Sequence, residues 1–175
     1  MECFNFIGLF MIKKWLVCLT FPFVLFASIP TPLSNPDLMA YVDKNLPHEG
    51  ILKQTQEGFL YIELPKDYVF ALQRFLPKTC PPPYFKKGKI GAHITVVTAR
   101  EMKDLNFPKV PFLGEKISFS IQSLEKVSLE NSEIGSEAYL LLIDSPKILE
   151  IRKKLSLPLK IKAVDFHITI GVNCP

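Results

Sequence analysis

Short apolar runs recur along the chain and predict strands over 59–64, 92–97, 138–144 and 166–172. The first two of these strands are separated by a run over Asp67–Leu76 whose apolar residues return at helical spacing. This run predicts a helix on one side of the strands. A long loop then leads to the second strand.

The second half of the chain repeats this order. Ser145 and Pro146 predict a helix start, with a capping hydroxyl followed by a proline in the first turn. The amphipathic pattern continues until Pro158, and a loop then leads to the last strand. Both halves therefore have the order strand, Pro-Lys, helix, loop and a strand that begins with His-Ile-Thr.

This repetition predicts an α+β fold of duplicated β-α-β units with pseudo-twofold symmetry. We expect two antiparallel sheets that line a central cleft, with the helices outside. Between the units, alternation over 116–127 predicts one or two strands, and Asn131–Ser136 predicts a turn.

The amino-terminal segment has the pattern of an export signal. Lys13 and Lys14 precede Trp15–Ala27, an apolar stretch without charge. That stretch is shorter than the ~20 residues that a membrane-spanning helix needs. We expect either cleavage on export, to the periplasm or the medium, or retention as an uncleaved anchor. Membrane contact is expected only through this segment.

The predicted organisation is a signal peptide or anchor over 1–28, an irregular lead-in over 29–57 and one domain over 58–175. A short helix is expected in the lead-in near Leu38–Lys44. His48, in the same lead-in, is expected to be a solvated loop residue. We expect a monomer with no stable protein partner.

Composition narrows the function only slightly. Apolar residues make up 48% of the chain and charged residues 22%, which is typical of a globular protein. The net charge of +4 is compatible with an anionic substrate, but alone it does not indicate nucleic acid. Cys80 and Cys174 would remain after signal cleavage, and the sequence leaves open whether they pair.

Two histidine-containing tetrads carry the predicted chemistry. Alternate strand residues face the same side, so His93 points with Thr95 and His167 points with Thr169. If the two units pack about a pseudo-twofold axis, two imidazoles and two hydroxyls converge in one cleft. One imidazole can then accept a proton while the other donates one, and the hydroxyls can hold phosphate oxygens.

The tetrads, HITV at 93 and HITI at 167, resemble the paired motifs of the two-histidine (2H) phosphoesterase superfamily. The resemblance covers most of the chain from about Phe59 to Val172. It implies that His93 and His167 are the acid and base and that Thr95 and Thr169 orient the phosphate. It also implies a nucleotide or RNA-end substrate with a 2′,3′-cyclic or 2′,5′-linked phosphodiester.

The loop before the first tetrad contains Tyr84 and Lys87, which are candidates for base stacking and for phosphate contact. An ordinary solvated loop is the alternative. No cofactor is predicted. A metal site is not predicted either, because no third ligand stands at a convincing spacing from the histidines. The alternative function is a non-catalytic protein that binds a phosphate or nucleotide in the same cleft.

Overall fold

The computed structural model describes residues 31–85, 89–129, 137–161 and 165–174. The described ranges contain four helices and nine strands, with two 3-10 turns at Gln73–Phe75 and Pro83–Phe85. The helices are α1 (Pro36–Asn45), α2 (Asp67–Phe70), α3 (Ala99–Asp104) and α4 (Pro146–Lys154). The strands are β1 (Thr31–Pro32), β2 (Glu49–Gln54), β3 (Leu60–Glu63), β4 (Thr79–Cys80), β5 (His93–Val97), β6 (Lys116–Ser118), β7 (Ser120–Ser128), β8 (Glu137–Asp144) and β9 (His167–Asn173).

The strands form one sheet in the order β1-β7-β8-β9-β5-β3-β2-β6, and all the paired strands are antiparallel. The fold is α+β, as predicted. The prediction of two separate sheets is wrong, because β5 and β9 join the halves through the pair Ile94 and Ile168. Beyond this pair β4 takes the place of β5 beside β9, with Cys80 opposite Val172. The internal duplication and its symmetry stay predictions.

One face of the sheet carries the main core. The strand residues that point to it are fully buried at the join between the halves, namely Ile94, Val96, Ile168 and Ile170. Leucines, valines and isoleucines of the helices pack in the same cluster. The opposite face carries the histidines and threonines of the two tetrads, which are only half-buried.

Arg152 of α4 is a fully buried charged residue in this core. Its guanidinium pairs with Glu101 of α3 at 2.7 Å and donates to the carbonyl oxygen of Val96 in β5, also at 2.7 Å. It donates as well to the carbonyl oxygens of Pro158 and Lys160. A buried charge needs such partners, and here they belong to both halves of the chain.

The segment predicted as an irregular lead-in over 29–57 is largely regular where the structure describes it. It forms β1, α1 and β2, and Leu38 and Leu52 are fully buried in the core. The short helix predicted near Leu38–Lys44 is confirmed as α1. Asn35 caps it by accepting a hydrogen bond from the Leu38 amide, and Pro36 occupies its first turn.

His48 is half-buried rather than solvated. Its ring stacks on Phe119 with the centroids 6.1 Å apart, and its Nε2 atom lies 3.9 Å from an Asp43 carboxylate oxygen. This contact could not be predicted from local pattern, because Phe119 lies far from His48 along the chain.

The helix predicted over Asp67–Leu76 is shorter than expected. It ends at Phe70 and is followed by the 3-10 turn Gln73–Phe75. Leu76 is extended because it precedes Pro77, whose ring disfavours the helical conformation in the residue before it. The strands predicted over 116–127 are confirmed as β6 and β7, whereas the turn predicted at Asn131–Ser136 lies outside the described residues.

Candidate active site at the join between β5 and β9

The register of β5 and β9 brings the two tetrads together. Ile94 pairs with Ile168 across the antiparallel strands. Continuing this register by one residue on each side places His93 across from Thr169 and Thr95 across from His167. Each histidine therefore faces a threonine of the other tetrad. Side chains of residues opposite each other in a sheet lie on the same face, so all four converge on the half-buried face.

Each histidine has the same kind of backbone partner, the carbonyl oxygen of the residue two positions before it. Nδ1 of His93 lies 2.8 Å from the carbonyl oxygen of Gly91, and Nδ1 of His167 lies 2.9 Å from that of Asp165. A carbonyl oxygen can only accept, so Nδ1 carries the proton in each ring. This leaves Nε2 of each neutral imidazole with a free lone pair for proton transfer. Gly91 has a positive φ of 79°, a conformation that glycine adopts without strain.

Aromatic rings surround His93. Its imidazole makes edge contacts with Tyr84, Phe59 and Tyr61, with ring centroids 4.9, 5.7 and 6.0 Å away. Burial lowers the pKa of His93, the Gly91 carbonyl opposes this shift, and the nearby His167 adds to it. His93 is therefore held in the neutral form to lower pH than a free histidine.

Tyr84 covers the end of the site where His93 and Thr169 lie. Burial raises the pKa of Tyr84 to about 12, and the Thr169 side chain beside its hydroxyl opposes this shift. The carbonyl oxygen of Tyr84 accepts from the Gly91 amide at 3.2 Å. Tyr84 therefore contacts both tetrads, one through its ring and one through its hydroxyl.

A disulfide fixes the segment that leads to Tyr84. Cys80 and Cys174 are bonded, with their Cα atoms 5.1 Å apart, which answers the question that the sequence left open. Thr79 of β4 passes so close to β9 that a Cβ at Gly171 would lie 3.1 Å from the Thr79 Cβ. The glycine therefore permits the close approach of the two strands.

A cavity of about 310 Å³ opens at the other end of the site, where Thr95 and His167 lie. Its remaining walls are mostly apolar and are formed by Phe59, Thr98, Ile161, Asp165 and Phe166. The two ends of the site thus differ. One is closed by Tyr84, and the other opens into a space large enough for a small organic group.

The structure brings together His93, His167, Thr95, Thr169 and Tyr84, which are five of the six residues predicted for the site. The sixth, Lys87, lies outside the described residues. Within the described part of the chain, no three side chains of His, Cys, Asp or Glu form a group that could hold a metal ion. No described helix is long and apolar enough to cross a bilayer.

Sequence reasoning missed the apolar residues of the site. Tyr61 of β3 pairs with Thr95, and Phe59, just before β3, stacks on Tyr61 next to His93. Their alternation in the sequence was a usable signal, once β3 and β5 are taken as neighbours. Ile161 and Phe166 offered no such signal, because only the folded chain brings them beside Phe59.

Comparison with known proteins gives one match. Residues 60–174 match the family model described as the Swiss Army Knife 2H phosphoesterase domain. No curated protein and no solved structure matches the chain. The matched range contains both tetrads, Tyr84 and the disulfide.

Proposed function

We propose that this chain, which belongs to the 2H phosphoesterase superfamily, is a metal-independent phosphodiesterase that hydrolyses a nucleotide or RNA-end phosphodiester. Membership in this family supports a phosphoesterase function. The observation that carries the proposal is the crossed arrangement of the tetrads, in which each histidine faces a threonine of the other strand. The substrate class, a 2′,3′-cyclic or 2′,5′-linked diester, follows from the resemblance.

We propose that His93 acts as the general base. Its Nδ1 proton is held by Gly91, and burial lowers its pKa, so a neutral Nε2 is available near neutral pH. Nε2 would take a proton from water as the water oxygen attacks phosphorus. The new P–O bond forms while the bond from phosphorus to the leaving oxygen breaks.

We propose that His167 acts as the general acid. It lines the open cavity, whereas aromatic rings enclose His93. In its protonated form, His167 gives the Nε2 proton to the leaving oxygen, so one diester and one water yield a monoester with a free hydroxyl. The leaving group then lies in the cavity beside His167.

Thr95 and Thr169 would hold the non-bridging phosphate oxygens. Their hydroxyls flank the two imidazoles on the same face, where they can donate to an oxygen that gains charge in the transition state. The described walls of the cavity supply no lysine or arginine. Its mostly apolar walls favour a substrate with an apolar or aromatic group next to the phosphodiester.

The nucleobase is the aromatic group that we place in the cavity. Phe59 and Phe166 offer aromatic surface to it and Ile161 offers apolar surface, and Thr98 and Asp165 also line the cavity. Stacking of a base on an aromatic side chain contributes about 1–3 kcal/mol. Such a contribution would strengthen the binding of a mononucleotide about 5- to 150-fold while the tetrads bind its phosphate.

A substrate panel tests this function. The protein would be incubated with 2′,3′-cyclic, 3′,5′-cyclic and 2′,5′-linked nucleotides in the presence of a chelator, and the products separated by chromatography. We expect turnover of at least one 2′,3′-cyclic or 2′,5′-linked compound. Binding without product for every compound would instead indicate the non-catalytic alternative, and activity lost only in the chelator would contradict metal independence.

We further propose that the chain acts outside the cytoplasm. The Lys13-Lys14 pair followed by an apolar stretch supports this, and so does the disulfide, because disulfides persist mainly in oxidising compartments. We expect cleavage between about Phe26 and Pro30. Intact mass of protein recovered from a secreting host tests this, and a species that keeps Met1 or Met11 would contradict cleavage.

A further inference from the structure

Tyr84 has two contacts that a base-stacking residue does not need. Its ring packs on the edge of His93 with the centroids 4.9 Å apart, and its hydroxyl lies beside the Thr169 side chain. These partners belong to different strands and different tetrads, and they lie across from each other in the sheet. A side chain placed in this way can set the relative position of the two tetrads.

A hydrogen bond between Tyr84 and Thr169 would have a defined direction when substrate is bound. A phosphodiester carries only acceptor oxygens, so Thr169 must donate its single proton to the phosphate. The lone pairs of Thr169 are then free to accept, and Tyr84 can donate because its phenol stays protonated. Successive hydrogen bonds of this kind strengthen one another.

We propose that Tyr84 is a positioning residue of the reaction, which donates to Thr169 and so turns the Thr169 proton toward the phosphate, while its ring fixes the His93 imidazole. This inference rests on the proposed function. It assigns Tyr84 a role other than stacking on the nucleobase of the substrate. The tyrosine acts through its neighbours and does not touch the substrate.

The backbone around Tyr84 is built to hold it. On one side, β4 pairs with β9 and the disulfide joins Cys80 to Cys174. On the other side, the Gly91 amide donates to the Tyr84 carbonyl, and the Gly91 carbonyl accepts from His93. Tyr84 and His93 are therefore connected through one glycine as well as through their rings.

The test is a double-mutant cycle with Tyr84→Phe and Thr169→Val, using hydrolysis of 2′,3′-cyclic AMP. Tyr84→Phe keeps the ring and removes the hydroxyl, so we expect kcat to fall about 3–10-fold at unchanged KM. In the Thr169→Val background the same change should have no further effect. Unchanged kcat in Tyr84→Phe, or the same loss in both backgrounds, would overturn the proposal.

Tyr68→Phe is the matched control. Tyr68 is a buried tyrosine away from the site whose hydroxyl donates to the Pro47 carbonyl at 2.8 Å. Its variant loses a hydrogen bond of the same kind, so its stability should fall while kcat and KM stay unchanged. A loss of kcat in this control as large as in Tyr84→Phe would mark the effect as structural and overturn the proposal.

A second measurement needs no turnover and separates this inference from the proposed function. NMR titration of the His93 imidazole in the free protein compares Tyr84→Leu with Tyr84→Phe. Removing the ring uncovers His93, so its pKa should rise toward 6.5 in Tyr84→Leu and stay unchanged in Tyr84→Phe. An unchanged His93 pKa in Tyr84→Leu would overturn the positioning role even in a protein that hydrolyses nothing.

Discussion

The two ends of the site have nearly the same sequence and different surroundings. His93 lies among three aromatic rings and beneath a segment fixed by the disulfide. His167 has the same Nδ1 contact but lines an open cavity. In both tetrads the backbone contact of Nδ1 leaves Nε2 free for proton transfer. The surroundings of each ring determine its pKa and which substrate group can reach Nε2. Equal motifs can therefore take unequal roles.

Replacing the histidines is the strongest test of this division. We expect His93→Ala and His167→Ala each to lower kcat/KM by ~10²–10⁴-fold. The second replacement should cost much less than the first, because residues that act as a unit are not additive. A double-mutant cycle in the presence of a chelator measures this. Two additive losses, or one dispensable histidine, would contradict the paired mechanism.

Replacing Thr95 and Thr169 one at a time compares the contribution of one hydroxyl at the open end of the site with that of one at the closed end. Thr95→Val and Thr169→Val should each reduce transition-state stabilisation by on the order of 1.5–3 kcal/mol, as for a hydrogen bond to a charged group. The serine variants, which keep the hydroxyl, are the controls and should retain most activity. If valine and serine variants of folded protein are equally active, the hydroxyls are structural.

Shortening Phe59 probes the open end. Phe59→Leu removes an aromatic wall of the cavity, so we expect KM for a nucleotide substrate to rise about 10-fold with little change in kcat. Phe75→Leu serves as the control, because Phe75 packs on Tyr41. Steady-state kinetics of both variants measure this effect. An unchanged KM in Phe59→Leu would show that the nucleobase does not bind in this cavity.

The pH profile probes the closed end. Because burial lowers the pKa of His93, the acid limb of kcat/KM should lie below pH 6.5. Between the lowered pKa and 6.5 the unfolded chain binds more protons than the folded one, so this histidine makes stability rise with pH there. His93→Gln should abolish that limb. A limb above pH 6.5 in the intact enzyme would be the opposite of what burial requires.

Sequence alone located what depends on local pattern. The strands that begin with His93 and His167 and the helix after Ser145 are close to their predicted positions, because alternation and capping residues are local signals. The helix α3 was missed although Thr98 and Glu101 form a capping box, which is a readable signal. In β2, the sequence EGILKQ alternates too weakly to be recognised.

What sequence could not supply depends on distant contacts. Arg152 sits on an amphipathic helix where an arginine is usually exposed, yet Glu101 and three carbonyl groups allow it to be buried. The cavity likewise joins Phe59, just before β3, to residues of the segment before β9. The contact of Tyr84 with both tetrads depends on how β4 pairs with β9, a pairing of two residues that no periodic pattern announces.

The burial of Arg152 has a consequence for how the protein unfolds. The guanidinium of one half is bonded to β5 and α3 of the other, so separating the halves removes the partners of a buried charge. Such a separation therefore costs more than the loss of the strand pairing between β5 and β9 alone. We expect the amide protons of these two strands to exchange slowly with solvent.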